Sequence, residues 1–149
     1  PGQQAPIFSL DADDGRRLTL GDFKDRAVVL YFYPKDDTSG CTTEACEFRD
    51  SWRAVQAAGA VVLGVSPDGV ASHQKFKKKY ELPFTLLADE DHAVAEAYGA
   101  WGEKSMYGRK YFGVLRKTYI IDARGKIARV FDKVKPRGHA AEVLAALSG

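Results

Sequence analysis

The 149 residues carry 22 basic and 20 acidic side chains, a net charge of +2, with 45% hydrophobic and 28% charged residues. That is the make-up of a globular chain, without the concentrated basic field that meets nucleic acid or a membrane surface. No apolar run approaches the ~20 residues of a membrane-spanning helix.

The predicted elements follow from hydrophobic periodicity. Ile7, Phe8 and Leu10, then Leu18 and Leu20, flank Asp13-Asp14-Gly15 and suggest a small hairpin. Residues 27–33 form a continuous apolar run of β-branched and aromatic residues, a buried central strand. After Cys41, apolar residues recur at Ala45, Phe48, Trp52 and Val55, a helix that starts at or near Cys41 and is closed by Gly59. Residues 60–66 repeat the buried-strand character, and 70–80 predict a helix. Its basic run, Lys75 to Lys79, reads as a solvated face with Phe76 and Tyr80 turned inward. A short strand at 84–88 follows Pro83, then a helix at 91–98. Residues 99–113 are punctuated by glycine yet carry Trp101, Tyr107, Tyr111 and Phe112. They read as a surface loop pinned by aromatics, or else as a wall of the reactive site or a docking surface. Residues 117–122 and 126–131 predict two strands joined through Asp122-Ala123-Arg124-Gly125, a hairpin. A last helix, 139–147, follows the breaker Pro136-Arg137-Gly138.

Strands alternating with helices, then a hairpin and a terminal helix, give an α/β architecture. The expectation is a thioredoxin-like fold: a central mixed sheet flanked by helices, with an extra N-terminal β-hairpin. One domain over residues 1–149 is expected, because a chain of this size buries roughly 68–70% of its unfolded surface without a metal or disulfide staple. No secretory pattern precedes the first strand, so a cytoplasmic location is expected.

Only two cysteines occur, Cys41 and Cys46. A pair five residues apart is a poor structural framework and points to redox chemistry. Metal binding lacks support: His73, His92 and His139 fall on separate elements and read as surface or packed residues, and no Cys-x2–4-Cys spacing occurs. No metal or cofactor is expected.

The informative stretch is Pro34-Lys-Asp-Asp-Thr38-Ser-Gly-Cys41. A buried strand, a polar loop and a helix start put the Cys41 sulfur where backbone N–H groups converge and the helix dipole is positive, which favours thiolate over thiol. Going from a few per cent thiolate to mostly thiolate is about thirty-fold, ~2 kcal/mol, far short of the ~8 kcal/mol or more that enzymes supply. Other groups must orient the substrate and receive charge. Thr38 can aim its hydroxyl into the same place, accepting from a substrate or donating to the thiolate. A guanidinium could hold both the thiolate and a group that gains negative charge in the reaction. Arg116, just before the strand at 117, is one source, and Arg49, Arg109 and Arg124 are others.

Pro34-x-x-x-Thr38-x-x-Cys41 matches the signature motif of the peroxiredoxins. The run from Tyr31 to Asp50 resembles the peroxiredoxin Q subfamily, also called bacterioferritin comigratory protein, as do Trp101 to Lys104, Tyr107 to Lys110 and Arg116 to Asp122. Ser39 departs from it, standing where many members carry proline. The resemblance implies reduction of hydrogen peroxide and organic hydroperoxides, regeneration by thioredoxin or a similar dithiol, and a monomer. It implies that Cys41 is the peroxidatic cysteine, that Thr38 and Arg116 complete its pocket, that Pro34 shields it, and that Cys46 is the resolving cysteine.

Were both cysteines on one helix, their α-carbons would lie about 8.6 Å apart. A disulfide needs ~4.4–6.8 Å. The bond therefore requires the first turns to unwind once Cys41 is a sulfenic acid, letting Cys46 attack and expel water. Two alternatives use the same thiols: a peroxide-sensing switch, and general thiol–disulfide exchange. The second is disfavoured because it typically uses Cys-x-x-Cys.

Overall fold

The computed structural model describes residues 2–148; Pro1 and Gly149, the ends of the range expected for one domain, lie outside the described residues. The chain runs β1 (Ser9–Ala12), β2 (Arg17–Thr19), a 3-10 turn at Leu20–Phe23, β3 (Ala27–Phe32), α1 (Ser39–Asp50), α2 (Trp52–Ala57), β4 (Ala60–Ser66) and α3 (Val70–Tyr80). It continues through β5 (Thr85–Ala88), α4 (Ala93–Tyr98), β6 (Trp101–Met106), β7 (Arg109–Val114), β8 (Lys117–Ile121), β9 (Ile127–Phe131) and α5 (His139–Ser148).

Seven strands form one sheet in the order β2-β1-β5-β4-β3-β8-β9. The three central strands β3, β4 and β5 are parallel, and the flanking pairs are antiparallel. The expected mixed sheet and N-terminal hairpin are both present, and β1 joins the sheet through β5. Successive side chains of β3 point to opposite faces. Val28, Leu30 and Phe32 enter one apolar cluster with Leu63, Val65, Tyr98 and Tyr119. Val29, Tyr31 and Tyr33 enter the other, with Phe48, Val55, Phe76, Phe84 and Val143. Burial on both faces is why 27–33 is apolar without alternation.

Two expectations need correction. Residues 99–113 are no loop: β6 and β7 pair antiparallel as a separate two-stranded sheet, turning at Tyr107-Gly108. Both turn residues have positive φ, +53° and +77°, the geometry that matches a two-residue turn to the twist of its strands. Nor do its aromatics all pin it, since Tyr107 and Phe112 are exposed. The helix expected from Cys41 to Gly59 is two helices, broken at Ser51 (φ −97°, ψ 5°), whose N–H reaches back to Glu47 and Arg49. Its first turn begins two residues before Cys41.

Candidate active site

The site lies where β3 ends and α1 begins. Parallel strands present their carboxyl ends together, and β8 runs antiparallel beside β3 with Phe32 paired to Lys117. That register sets Arg116, the residue before β8, next to the loop leaving β3. Four residues after Pro34, Thr38 takes the extended conformation that starts a helix (φ −95°, ψ 158°), and Cys41 is the third helical residue. Its backbone N–H is among the first-turn donors that have no helical carbonyl to meet.

Cys41 is 1% exposed. Arg116 donates from Nη2 to Cys41 Sγ at 3.2 Å and from Nη1 to Glu44 Oε1 at 2.7 Å. One guanidinium fork thus spans the sulfur and a carboxylate one helical turn further on. Gly40 eases the approach: a Cβ there would sit 3.3 Å from both Arg116 Nη2 and Pro136 Cγ, so both would have to give slightly. The other guanidinium candidates are elsewhere. Arg49 donates to the Tyr80 carbonyl and to Asp50, Arg109 lies in exposed β7, and Arg124 lies in the turn between β8 and β9.

The Thr38 hydroxyl donates to the Lys35 carbonyl at 2.9 Å. With its proton committed, Thr38 can accept from a substrate but cannot donate to the thiolate in this arrangement. Pro34 is half-buried where the strand stops. From β6, Lys104 donates to the Val114 carbonyl at 2.9 Å. Burial and then the nearby Arg116 charge lower its pKa, while Cys41 opposes them.

Cys46 lies further along α1, half-buried, and both thiols are free. Burial pushes the Cys46 thiol up. Within the intact helix it is both too far from Cys41 and disinclined to ionise, and unwinding would remove both obstacles.

Sequence reasoning missed Glu44. It is fully buried, and burial pushes its carboxyl up to about 7 against the pull of Arg116. Its Oε2 and the Tyr31 hydroxyl are the buried side-chain polar atoms without a hydrogen-bond partner among the described residues. The available signal was spacing: a glutamate three residues after Cys41 shares its helix face, between the buried Cys41 and Ala45. The histidines are not gathered at the sulfur. His73 and His139 are buried in separate hydrogen-bonded clusters, and His92 stacks on Trp101 at 3.7 Å. Among the described residues no cluster of three or more His, Cys, Asp or Glu is placed to hold a metal ion.

Residues 1–130 match the model of the AhpC/TSA family. A putative peroxiredoxin bcp of Coxiella burnetii is 56% identical over 146 residues, 98% of this chain and 97% of that one. The peroxiredoxin Bcp of Bacillus subtilis is 48% identical over 98% of this chain and 93% of that one. Among solved structures, Xanthomonas campestris peroxiredoxin Q superposes with a TM-score of 0.90 at 40% identity, covering 95% of this chain and 89% of that one. A trapped intermediate/ligand complex of the bacterioferritin comigratory protein from the same organism, described for its alkyl peroxide reduction activity, scores 0.90 at 40% identity over 95% of this chain and 90% of that one.

Proposed function

The chain belongs to the AhpC/TSA family and is a peroxiredoxin, a thiol-dependent peroxidase acting on hydroperoxide at the expense of a reductant; from this premise we propose that Cys41 is its attacking sulfur and Cys46 its resolving one. The observation that carries the assignment is the 3.2 Å hydrogen bond from Arg116 to a buried sulfur in the first turn of a helix.

The Cys41 thiolate attacks one peroxide oxygen. An S–O bond forms, the O–O bond breaks, the sulfur is oxidised to sulfenic acid, and the departing oxygen takes a proton to leave as water or alcohol. Arg116 stabilises the thiolate before the step and the negative charge on the departing oxygen during it. Thr38 accepts from the peroxide O–H, fixing which oxygen is attacked. Oxidation also removes the negative charge from the sulfur, so Arg116 trades an ion-paired hydrogen bond for a weaker one from a cation to a neutral acceptor. The first turns of α1 then unwind, Cys46 displaces water, and a Cys41–Cys46 disulfide forms.

Thioredoxin or a similar dithiol reduces that disulfide, and the substrates are hydrogen peroxide and organic hydroperoxides, in line with the alkyl peroxide reduction described for the Xanthomonas protein. The 149 residues act as one thioredoxin-like domain, a cytoplasmic monomer. The test is peroxide consumption with thioredoxin, thioredoxin reductase and reduced nicotinamide cofactor. Cys46→Ser should complete one stoichiometric reaction and then stall. Sustained thioredoxin-linked turnover by Cys46→Ser would contradict its resolving role.

A further inference from the structure

The loop 34–38 is anchored by a buried polar cluster that touches no reacting atom. Asp36 is nearly buried and His73 of α3 is fully buried. Asp36 Oδ1 accepts from the Tyr33 hydroxyl at 2.6 Å, and Oδ2 accepts from the Ser72 hydroxyl at 2.8 Å and meets His73 Nδ1 at 2.7 Å. His73 Nε2 meets the Leu87 carbonyl at 2.9 Å. A carbonyl only accepts, so Nε2 carries a hydrogen, and the 2.7 Å approach on the other side requires a proton between Nδ1 and Oδ2. Both oxygens of this carboxyl group are engaged, and their partners are Tyr33, the residue after β3, and Ser72 and His73 of α3.

The cluster bears on the active site through one peptide unit. The Asp36 N–H donates to Asp68 Oδ2 at 2.7 Å, and Asp68 is itself held by the Ser66 hydroxyl at 2.8 Å. On the other side of the same unit, the Lys35 carbonyl receives the Thr38 hydroxyl at 2.9 Å. The plane of a peptide is rigid, so fixing its N–H and the side chain of Asp36 fixes the direction of the Lys35 carbonyl. That direction in turn sets where the Thr38 oxygen points. Next along, Asp37 stands at φ +57°, a conformation unfavourable for a side-chain-bearing residue, and its carboxylate is tied to Lys79 and Tyr80 at 2.7 Å each. A loop in an unfavoured conformation needs such outside anchors to persist.

We propose that Asp36 is a positioning residue for peroxide reduction: clamped by Tyr33, Ser72 and His73, it orients the Lys35–Asp36 peptide and so aims the Thr38 hydroxyl at the peroxide. The inference rests on the reading of Cys41 as the attacking sulfur and Thr38 as the acceptor of the peroxide O–H. Asp36 touches no reacting atom, and its effect is confined to the first chemical step.

Rapid mixing of reduced protein with hydrogen peroxide, followed by tryptophan fluorescence and by quenched disulfide assay, separates the peroxide step from disulfide closure. Asp36→Ala should slow the peroxide step by about ten- to a hundred-fold, the range expected for a misplacement of an ångström or less, and leave the disulfide step within about two-fold. Asp36→Asn should restore the peroxide step. Its carbonyl can accept from Tyr33, and its amide can donate to Ser72 and to His73 Nδ1 with the Nε2 hydrogen kept on Leu87. Tyr33→Phe, which removes one clamp without cutting the chain of contacts, should cost several-fold in the same step, and it is the variant read if Asp36→Ala does not fold. The proposal is overturned if Asp36→Ala reacts with peroxide at the wild-type rate, if Asp36→Asn is as slow as Asp36→Ala, or if both steps slow alike; for an unfolded Asp36→Ala, an unchanged Tyr33→Phe overturns it. Cys41→Ser in the same experiment separates the two levels: were it to consume peroxide normally, the underlying reading would fall, whereas an inert Cys41→Ser beside a fast Asp36→Ala condemns the positioning role alone.

Discussion

The two halves of α1 are held by different forces. The first half, Ser39 to Glu44, contains Gly40 and two β-branched threonines, all weak helix formers. It is tied to the body through Arg116, whose fork grips Cys41 and Glu44. The second half is fastened by aromatic packing. Phe48 stacks on Tyr31 at 5.0 Å and meets Phe84 and His139 edge-on, and Arg49 donates to the Tyr80 carbonyl. In the proposed reaction the guanidinium fork loosens as the sulfur becomes a neutral sulfenic acid, and an aromatic cluster does not. The helix is therefore able to open from its reactive end while its far end stays seated.

Four substitutions probe that contrast, starting with the strongest. Cys41→Ser should reduce thioredoxin-linked peroxide turnover to background, because among the described residues Cys41 is the thiol that Arg116 holds; undiminished turnover would refute the site. Phe48→Ala, in the seated half, should cost about 3–5 kcal/mol of unfolding free energy in urea titration. A loss near zero would mean that the aromatic cluster does not anchor the helix. Arg116→Met should lower the rate constant for peroxide by about 10²–10³-fold, the usual loss for a donor aimed at developing charge. A change under three-fold would leave Arg116 a structural role only.

The smallest effect concerns pH. The buried Glu44 carboxyl ionises at about 7 in the folded protein, against an ordinary 4.5. Between these values the folded state binds more protons than the unfolded one, so this group's contribution to stability is full below about 4.5 and is lost as pH rises through about 7. The loss is at most about 3 kcal/mol. Glu44→Gln should remove that fall, seen as urea midpoints at pH 5 and pH 8 that lie closer together than in the wild type. An equal gap in both proteins would show that another group titrates.

Much of this was legible in the sequence because local pattern and burial agree there. The apolar runs 27–33 and 60–66, rich in β-branched and aromatic residues, read as buried strands and are β3 and β4, and the helix at 70–80 matches its periodicity residue for residue. The motif from Pro34 to Cys41 marked the sulfur, and the strand starting at 117 supplied the guanidinium once its register was known. The β6–β7 hairpin was hidden because Tyr107, a residue that rarely adopts positive φ, occupies a turn position where asparagine or glycine gives the usual signal. The break at Ser51 carries no proline or glycine to announce it. Asp36 and His73 are 37 residues apart and meet only because α3, packed against β5, lies beside the loop that leaves β3, a pairing that no local pattern encodes.

Hydrogen exchange along α1, compared between the reduced protein and the protein oxidised by one equivalent of peroxide, tests the account most directly. The amides of Thr42 to Cys46 should lose protection on oxidation, while those of Phe48 to Val55 keep theirs. Equal protection of the whole helix in both states would contradict a disulfide that forms by opening the reactive end.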